Sequence, residues 1–194
     1  MVRLYLVRHG EVAKEGIDPG LSMKGKQQAK RVAGRLAQLP ITKAYVSSAR
    51  RAVETYEPYH KLQPEVPGVI SEQLKEIYRM IIGGPERLGT SPDRELHDTK
   101  RAGDILQEIL DHAKDDDNIV LFIHGNFIRY LLAHFLQISK INLWERLEIH
   151  EASISLIEIT NSEPRVKAIN VIEHLDKKDV DAFYKTPAAM EYLS

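Results

Sequence analysis

Apolar positions along the chain form short runs and helical stripes, and the two alternate. Leu4-Tyr5-Leu6-Val7 is a short run that stops at Arg8-His9-Gly10, which reads as a buried strand closed by a glycine turn. Turn residues occupy Lys14 to Gly20. Leu21-Ser22 then opens a helix, with Ser22 as N-cap, a stripe of Ala29, Val32, Ala33, Leu36 and Ala37, and Pro40 ending the pattern. Ala44-Tyr45-Val46 is a second short strand, and Ser47-Ser48 stand where they can cap a helix carrying Arg51, Ala52, Thr55 and Tyr56. Pro64 and Pro67 close that unit.

From Glu72 to Pro92 the chain carries Gly83-Gly84-Pro85, Gly89 and Pro92, the composition of a long excursion, and long loops in compact domains are usually functional. Asp93 starts a helix with the stripe Ala102, Ile105, Leu106, Ile109, Leu110 and Ala113, and Asp115-Asp116-Asp117-Asn118 reads as a solvated turn. Ile119-Val120-Leu121-Phe122-Ile123 is the most apolar short run. It ends at His124-Gly125, and a helix with Ile128, Leu131, Leu132 and Phe135 follows. Strands around Ser153–Ile159 and Val166–Val171, joined by Asn161-Ser162-Glu163-Pro164, read as a late hairpin, and the tail from Asp176 as a short helix against the body. Strands alternating with helices predict an α/β fold, a three-layer α/β/α sandwich with a mostly parallel sheet and the late hairpin antiparallel, in a single domain over 1–194.

Composition narrows the function classes. A formal net charge of −1 gives no electrostatic reason to expect nucleic acid or membrane as partners. With no cysteine, disulfides, zinc-thiolate sites and cysteine nucleophiles are excluded. No apolar run approaches the ~20 residues of a membrane span, and Met1-Val2-Arg3 enters the first strand without a signal-peptide pattern, so a cytoplasmic protein is expected. Oligomeric state is open, a homodimer included.

The chemistry gathers at two strand ends. Both Val7-Arg8-His9-Gly10 and Ile123-His124-Gly125 close an apolar run with His-Gly, and ligands in α/β proteins bind outside the carboxyl ends of such strands. The second His-Gly also begins a helix, whose unpaired N–H groups favour an anion. Arg51 lies at that same edge. Arg8, Arg51, His124 and Gly125 together describe a phosphate pocket, to which the planar fork of arginine is suited. A metal centre is the rival use of histidine, but there is no His-Glu-x-x-His, no His-x-His and no cysteine. The Gly-x-x-x-x-Gly-Lys-Ser/Thr loop of magnesium-dependent nucleotide hydrolysis is missing too. No cofactor or metal is expected.

Leu6-Val7-Arg8-His9-Gly10-Glu11 resembles the signature of the histidine phosphatase superfamily, which includes cofactor-dependent phosphoglycerate mutases. Leu21-Ser22-Met23-Lys24-Gly25 is similar to the family's Leu-Thr/Ser-x-x-Gly. Ser47 to Thr55 matches Ser-x-x-x-Arg-Ala-x-x-Thr, which places the second arginine at Arg51 and not Arg50. Leu74-Lys75-Glu76 resembles the segment holding the proton-donating glutamate, with Glu72 as a neighbouring alternative, and His124-Gly125 takes the place of the second His-Gly/Ala pair. In motif detail the chain looks closest to the mitochondrial Ser/Thr phosphatase branch.

The resemblance implies a metal-independent phosphomonoesterase acting through a phosphohistidine on a phosphorylated small molecule or phosphoprotein. His9 would be the nucleophile, and it must be neutral to attack, its other nitrogen fixed by an acceptor such as a backbone carbonyl. Arg8, Arg51 and His124 would neutralise charge on the equatorial oxygens, and Glu76 would protonate the leaving oxygen and then activate water, for which its pKa must rise. The alternatives are a phosphoglycerate mutase, against which the short Pro64–Pro92 segment argues, and a non-catalytic phosphate-binding module. The chain departs from the family pattern twice. The asparagine that mutases often carry is absent from Val12–Asp18, and Glu151-Ala152-Ser153 stands where Asn-Ala/Gly-Ser is usual, a change read as structural. Lys14, Arg79, Arg87 and Arg94 are candidates for selecting an anionic substrate.

Overall fold

A computed structural model describes residues 1–78, 92–138 and 147–176. The elements run β1 (Val2–Arg8), α1 (Met23–Leu36), β2 (Lys43–Ser47), α2 (Arg50–Leu62), β3 (Gly68–Ser71), a 3₁₀ turn (Glu72–Leu74), α3 (Pro92–Asp111), β4 (Asn118–Ile123), α4 (Gly125–Leu136), β5 (Ile154–Thr160) and β6 (Glu163–Val171). The strands form one sheet in the order β3-β2-β4-β1-β5-β6. The first four are parallel, while β5 runs antiparallel to β1 and pairs with β6 as a hairpin.

The sheet is covered on both faces, which is why its central strands read as unbroken apolar runs. Leu4, Leu6, Ile119, Leu121 and Ile123 pack to one side with Ile105 and Ile109 of α3 and Phe127 and Leu131 of α4. The alternate residues Tyr5, Val7, Val120 and Phe122 pack to the other with Val32 and Leu36 of α1 and Tyr56 and Tyr59 of α2. The expected three-layer sandwich is therefore the fold observed.

Local expectations met two corrections. Strand β3 was absent from the sequence reading because it is an edge strand with Val69 and Ile70 turned outward, so it carries no buried apolar run. Ser47-Ser48 do not cap α2. Its N-cap is Ala49, without a side-chain bond, and the N–H of Arg50 goes instead to Asp18 Oδ2 at 3.0 Å. Ser22 does cap α1, its Oγ accepting the N–H of Gly25 at 3.0 Å. Asn161 and Ser162 both have positive φ, the two-residue turn that suits a twisted hairpin. The helix expected in the tail, Arg79, Arg87 and most of the 72–92 excursion lie outside the described residues.

Candidate active site

Strand register builds the centre of the site. Arg8 of β1 is paired with Ile123 of β4, so the next residues, His9 and His124, leave neighbouring strands side by side. Their ring centroids are 5.1 Å apart at 63°, and the N–H of His9 still donates to the Ile123 carbonyl at 3.0 Å. The turn beneath them needs glycine. A Cβ on Gly10 would stand 2.6 Å from the Gly25 carbonyl oxygen, and one on Gly25 2.0 Å from that of Glu11. The two motif glycines let the strand end lie directly on α1. Thr55 fastens the turn to α2 by accepting the Gly10 N–H at 3.0 Å and donating to the Arg51 carbonyl at 2.7 Å.

Each ring nitrogen of His9 has a defined partner. Nδ1 lies 2.8 Å from the Gly10 carbonyl, which can only accept, so the ring proton sits there. That leaves the lone pair on Nε2, which accepts from Arg51 Nε at 3.2 Å. Burial, with Arg8 and Arg51 adding to it and the Gly10 carbonyl opposing, lowers the His9 pKa from 6.5 to about 3. The ring is neutral across the working range. His124 is fully buried and its pKa also lies well below the usual value, first through burial and then through His9 and the nearby arginines. Its Nε2 is 2.8 Å from Ser47 Oγ, and that oxygen accepts the Ala49 N–H at 3.3 Å. The hydroxyl keeps its proton and a second lone pair, so Ser47 can pair with either tautomer of the ring, while His124 Nδ1 has no hydrogen-bond partner among the described residues.

The arginines are held from opposite sides. Arg51 reaches His9 while Asp18 Oδ1 lies 3.6 Å from its Nη1; Arg50 turns away to Glu54 at 2.7 Å. Arg8 donates through Nη1 to the Ile149 carbonyl and through Nη2 to Glu151 Oε1 at 2.7 Å. Its Nε is buried without a partner among the described residues, 3.5 Å from where a Cβ on Gly125 would stand, over the N-terminus of α4. Two buried nitrogens without partners among the described residues, Arg8 Nε and His124 Nδ1, thus accompany the start of a helix, the setting of an anion site. The arginines around both histidines oppose a cation there.

Glu76 occupies the same helix start. Its carboxylate accepts from the N–H groups of Asn126 at 3.3 Å, Phe127 at 3.0 Å and Ile77 at 2.9 Å. Burial raises its pKa above the usual 4.5, against those N–H bonds and Arg8. Glu72 is not gathered in; it is exposed and paired with Lys75 at 2.6 Å. Arg94 lies over the Tyr78 ring at 4.2 Å, and Lys14 is exposed.

Sequence reasoning read Ser47 as a helix cap and Thr55 as a motif position, gave no role to Asp18 and read Glu151 as structural, whereas the fold puts Ser47 on His124, Thr55 on Gly10 and Glu151 on Arg8. The next residue, Ala152, takes positive φ so that its N–H meets the carbonyls of Arg8 at 3.0 Å and His9 at 3.2 Å. For Glu151 the available signal was its departure from the family's asparagine.

Known proteins are similar to this chain in sequence and fold. A probable phosphatase of Schizosaccharomyces pombe is 27% identical over 186 residues, covering 82% of this chain and 88% of that protein. The mitochondrial serine/threonine-protein phosphatase PGAM5 of Xenopus tropicalis is 28% identical over 166 residues; the match takes in 80% of this chain but spans only 59% of that longer protein. Among solved structures, YhfR of Bacillus stearothermophilus superposes with a TM-score of 0.75 at 24% identity, over 91% of this chain and all of that one. The phosphoserine phosphatase of Entamoeba histolytica, solved with 3-phosphoglyceric acid, gives 0.73 at 18% identity and the same coverage. These structures share the fold. The family profile extends across both His-Gly strands, matching residues 4–86 and 97–172, and the chain belongs to the histidine phosphatase superfamily, branch 1.

Proposed function

We propose that the chain is a metal-independent phosphomonoesterase in which His9 carries the phosphoryl group between substrate and water. The observation that carries this reading is the state of His9: neutral, its proton held on Nδ1 by the Gly10 carbonyl, its Nε2 lone pair facing Arg51, with the charge of Arg8 close by and His124 beside it. Nε2 attacks phosphorus and forms the N–P bond as the ester P–O bond breaks, and Glu76 gives its proton to the leaving oxygen. Water then attacks phosphorus, Glu76 takes back a proton, and the N–P bond breaks with its electron pair returning to Nε2. Arg8, Arg51, His124 and the Gly125 end of α4 bind the equatorial oxygens, where fixed donors do most of the work of phosphoryl transfer. Glu76 is suited to its part because burial keeps the acid form to higher pH than an exposed glutamate.

The substrate class is a phosphorylated small molecule or a phosphoprotein, in keeping with the phosphatases among the relatives. Among the described residues no helix is long and apolar enough to cross a membrane. We take the chain as one domain acting in the cytoplasm, a reading its cysteine-free composition favours. The test is phosphate release from p-nitrophenyl phosphate with chelator present, for wild type and His9→Ala. Turnover confined to wild type supports the proposal. Equal rates refute the nucleophile, and no turnover by either protein, with transfer between the 3- and 2-positions of phosphoglycerate, makes the chain a mutase.

A further inference from the structure

Glu76 comes from the irregular segment after β3, a poor platform for a proton donor unless something else holds it. Two charged residues of α3 do so. Arg101 donates through Nη1 to the Gln73 carbonyl and through Nη2 to the Glu76 carbonyl at 3.2 Å. The same Nη2 meets Asp98 Oδ1 at 3.2 Å, and Asp98 Oδ2 accepts the Tyr78 N–H at 3.1 Å. Asp98 is only 7% exposed, a buried charge on a helix face that would otherwise be apolar. The pair therefore grips the backbone before, at and after Glu76, while Leu74 and Ile77 are fully buried between the grips and Asn126 Nδ2 donates to the Ile77 carbonyl at 3.1 Å.

We infer that Arg101 and Asp98 are positioning residues for the proton donor: they lock the 73–78 backbone so that the Glu76 carboxyl stays under the N-terminus of α4. This rests on the assignment of Glu76 made above. Arg101 touches Glu76 through its carbonyl and not its carboxyl, so its hold on the acid is geometric; its charge, which also acts on His124, bears on both substrates alike. A displacement of ~1 Å in a catalytic group can cost on the order of 10²-fold in rate. The loss must fall on the step that uses the acid. An alkyl phosphate needs its leaving oxygen protonated, whereas p-nitrophenolate leaves without a proton. A merely structural role would not tell the two apart.

The experiment measures kcat/KM, which reports formation of the phosphoenzyme, for both substrates in wild type, Arg101→Met, Arg101→Lys and Glu76→Gln. Arg101→Met should lose on the order of tenfold to 10²-fold on the alkyl phosphate and keep its rate on p-nitrophenyl phosphate within about threefold. Arg101→Lys, which retains charge and one reach of donors, should restore part of the difference and guards against a Met variant that fails to fold. Equal losses on both substrates, or none, while Glu76→Gln is selective, would overturn the clamp and leave Glu76 as the acid. If Glu76→Gln itself loses both substrates equally, the acid assignment falls and the clamp falls with it.

Discussion

His9 should make the protein measurably acid-sensitive, and its own substitution should remove that sensitivity. In the folded chain the ring holds at about 3 because it is buried beside Arg8 and Arg51, while in the unfolded chain it returns to 6.5. A histidine whose folded pKa is depressed costs stability as pH falls below the unfolded value, since the unfolded chain gains a proton that the folded one refuses. The cost begins near 6.5 and is complete only below about 3. At about pH 5 the unfolded ring lies roughly 1.5 pH units below its midpoint and the folded ring is still neutral, so at about 1.4 kcal/mol per unit the penalty is about 2 kcal/mol. At about pH 7 it is close to zero. His9→Asn keeps a polar side chain of similar reach and removes the titration. Urea unfolding of both proteins at the two pH values isolates the effect, because the other titrating groups are common to both. Wild type should lose about 2 kcal/mol more than His9→Asn on going from pH 7 to 5. A stability difference that does not change with pH would mean that His9 is not buried and neutral, and the lone pair assigned to Nε2 would lose its basis.

Thr55→Val removes the acceptor of the Gly10 N–H while keeping side-chain volume; it should destabilise by about 1–3 kcal/mol in a denaturant melt and lower kcat/KM. Glu151→Gln keeps a hydrogen-bond partner for Arg8 but removes the countercharge 2.7 Å away, so competitive inhibition by inorganic phosphate should tighten by about 1 kcal/mol, roughly fivefold. Ser47→Ala removes the hydrogen-bond partner of His124 Nε2 and should shift the ring's nitrogen NMR signals, with a lower kcat. Since Glu76 must be protonated to donate and burial raises its pKa, kcat/KM on an alkyl phosphate should fall as pH rises through that pKa. Glu76→Gln should lose this basic limb.

The parts of the site legible in the sequence are those written in consecutive residues. Both His-Gly pairs end continuous apolar runs, so the runs predict buried strands and the strand ends predict the pocket. Parallel pairing of β1 with β4 then does the rest, bringing His9 against His124 without any further instruction. Gly10, Gly25 and Thr55 were visible as motif letters, but their purpose, a close approach of the strand end to α1 and a fastening to α2, exists only in three dimensions. What stayed hidden depends on partners far apart in sequence. Glu151 meets Arg8 across 143 positions. Asp18 serves as the missing cap of α2 from a separate loop. Arg101 lies in a helix whose apolar stripe gives no hint that one polar position faces the Glu76 backbone. Edge strand β3 was unreadable for the opposite reason, since its outward Val69 and Ile70 bury too little to mark it.

The phosphoryl group on His9 is the central claim, and trapping it is the direct test. Wild type mixed with phosphorylated substrate in the presence of chelator and quenched in alkali, where a phosphohistidine survives, should yield one acid-labile phosphate on the peptide containing His9, absent from His9→Asn. Rapid turnover with no such adduct, or an adduct that persists in His9→Asn, would contradict it.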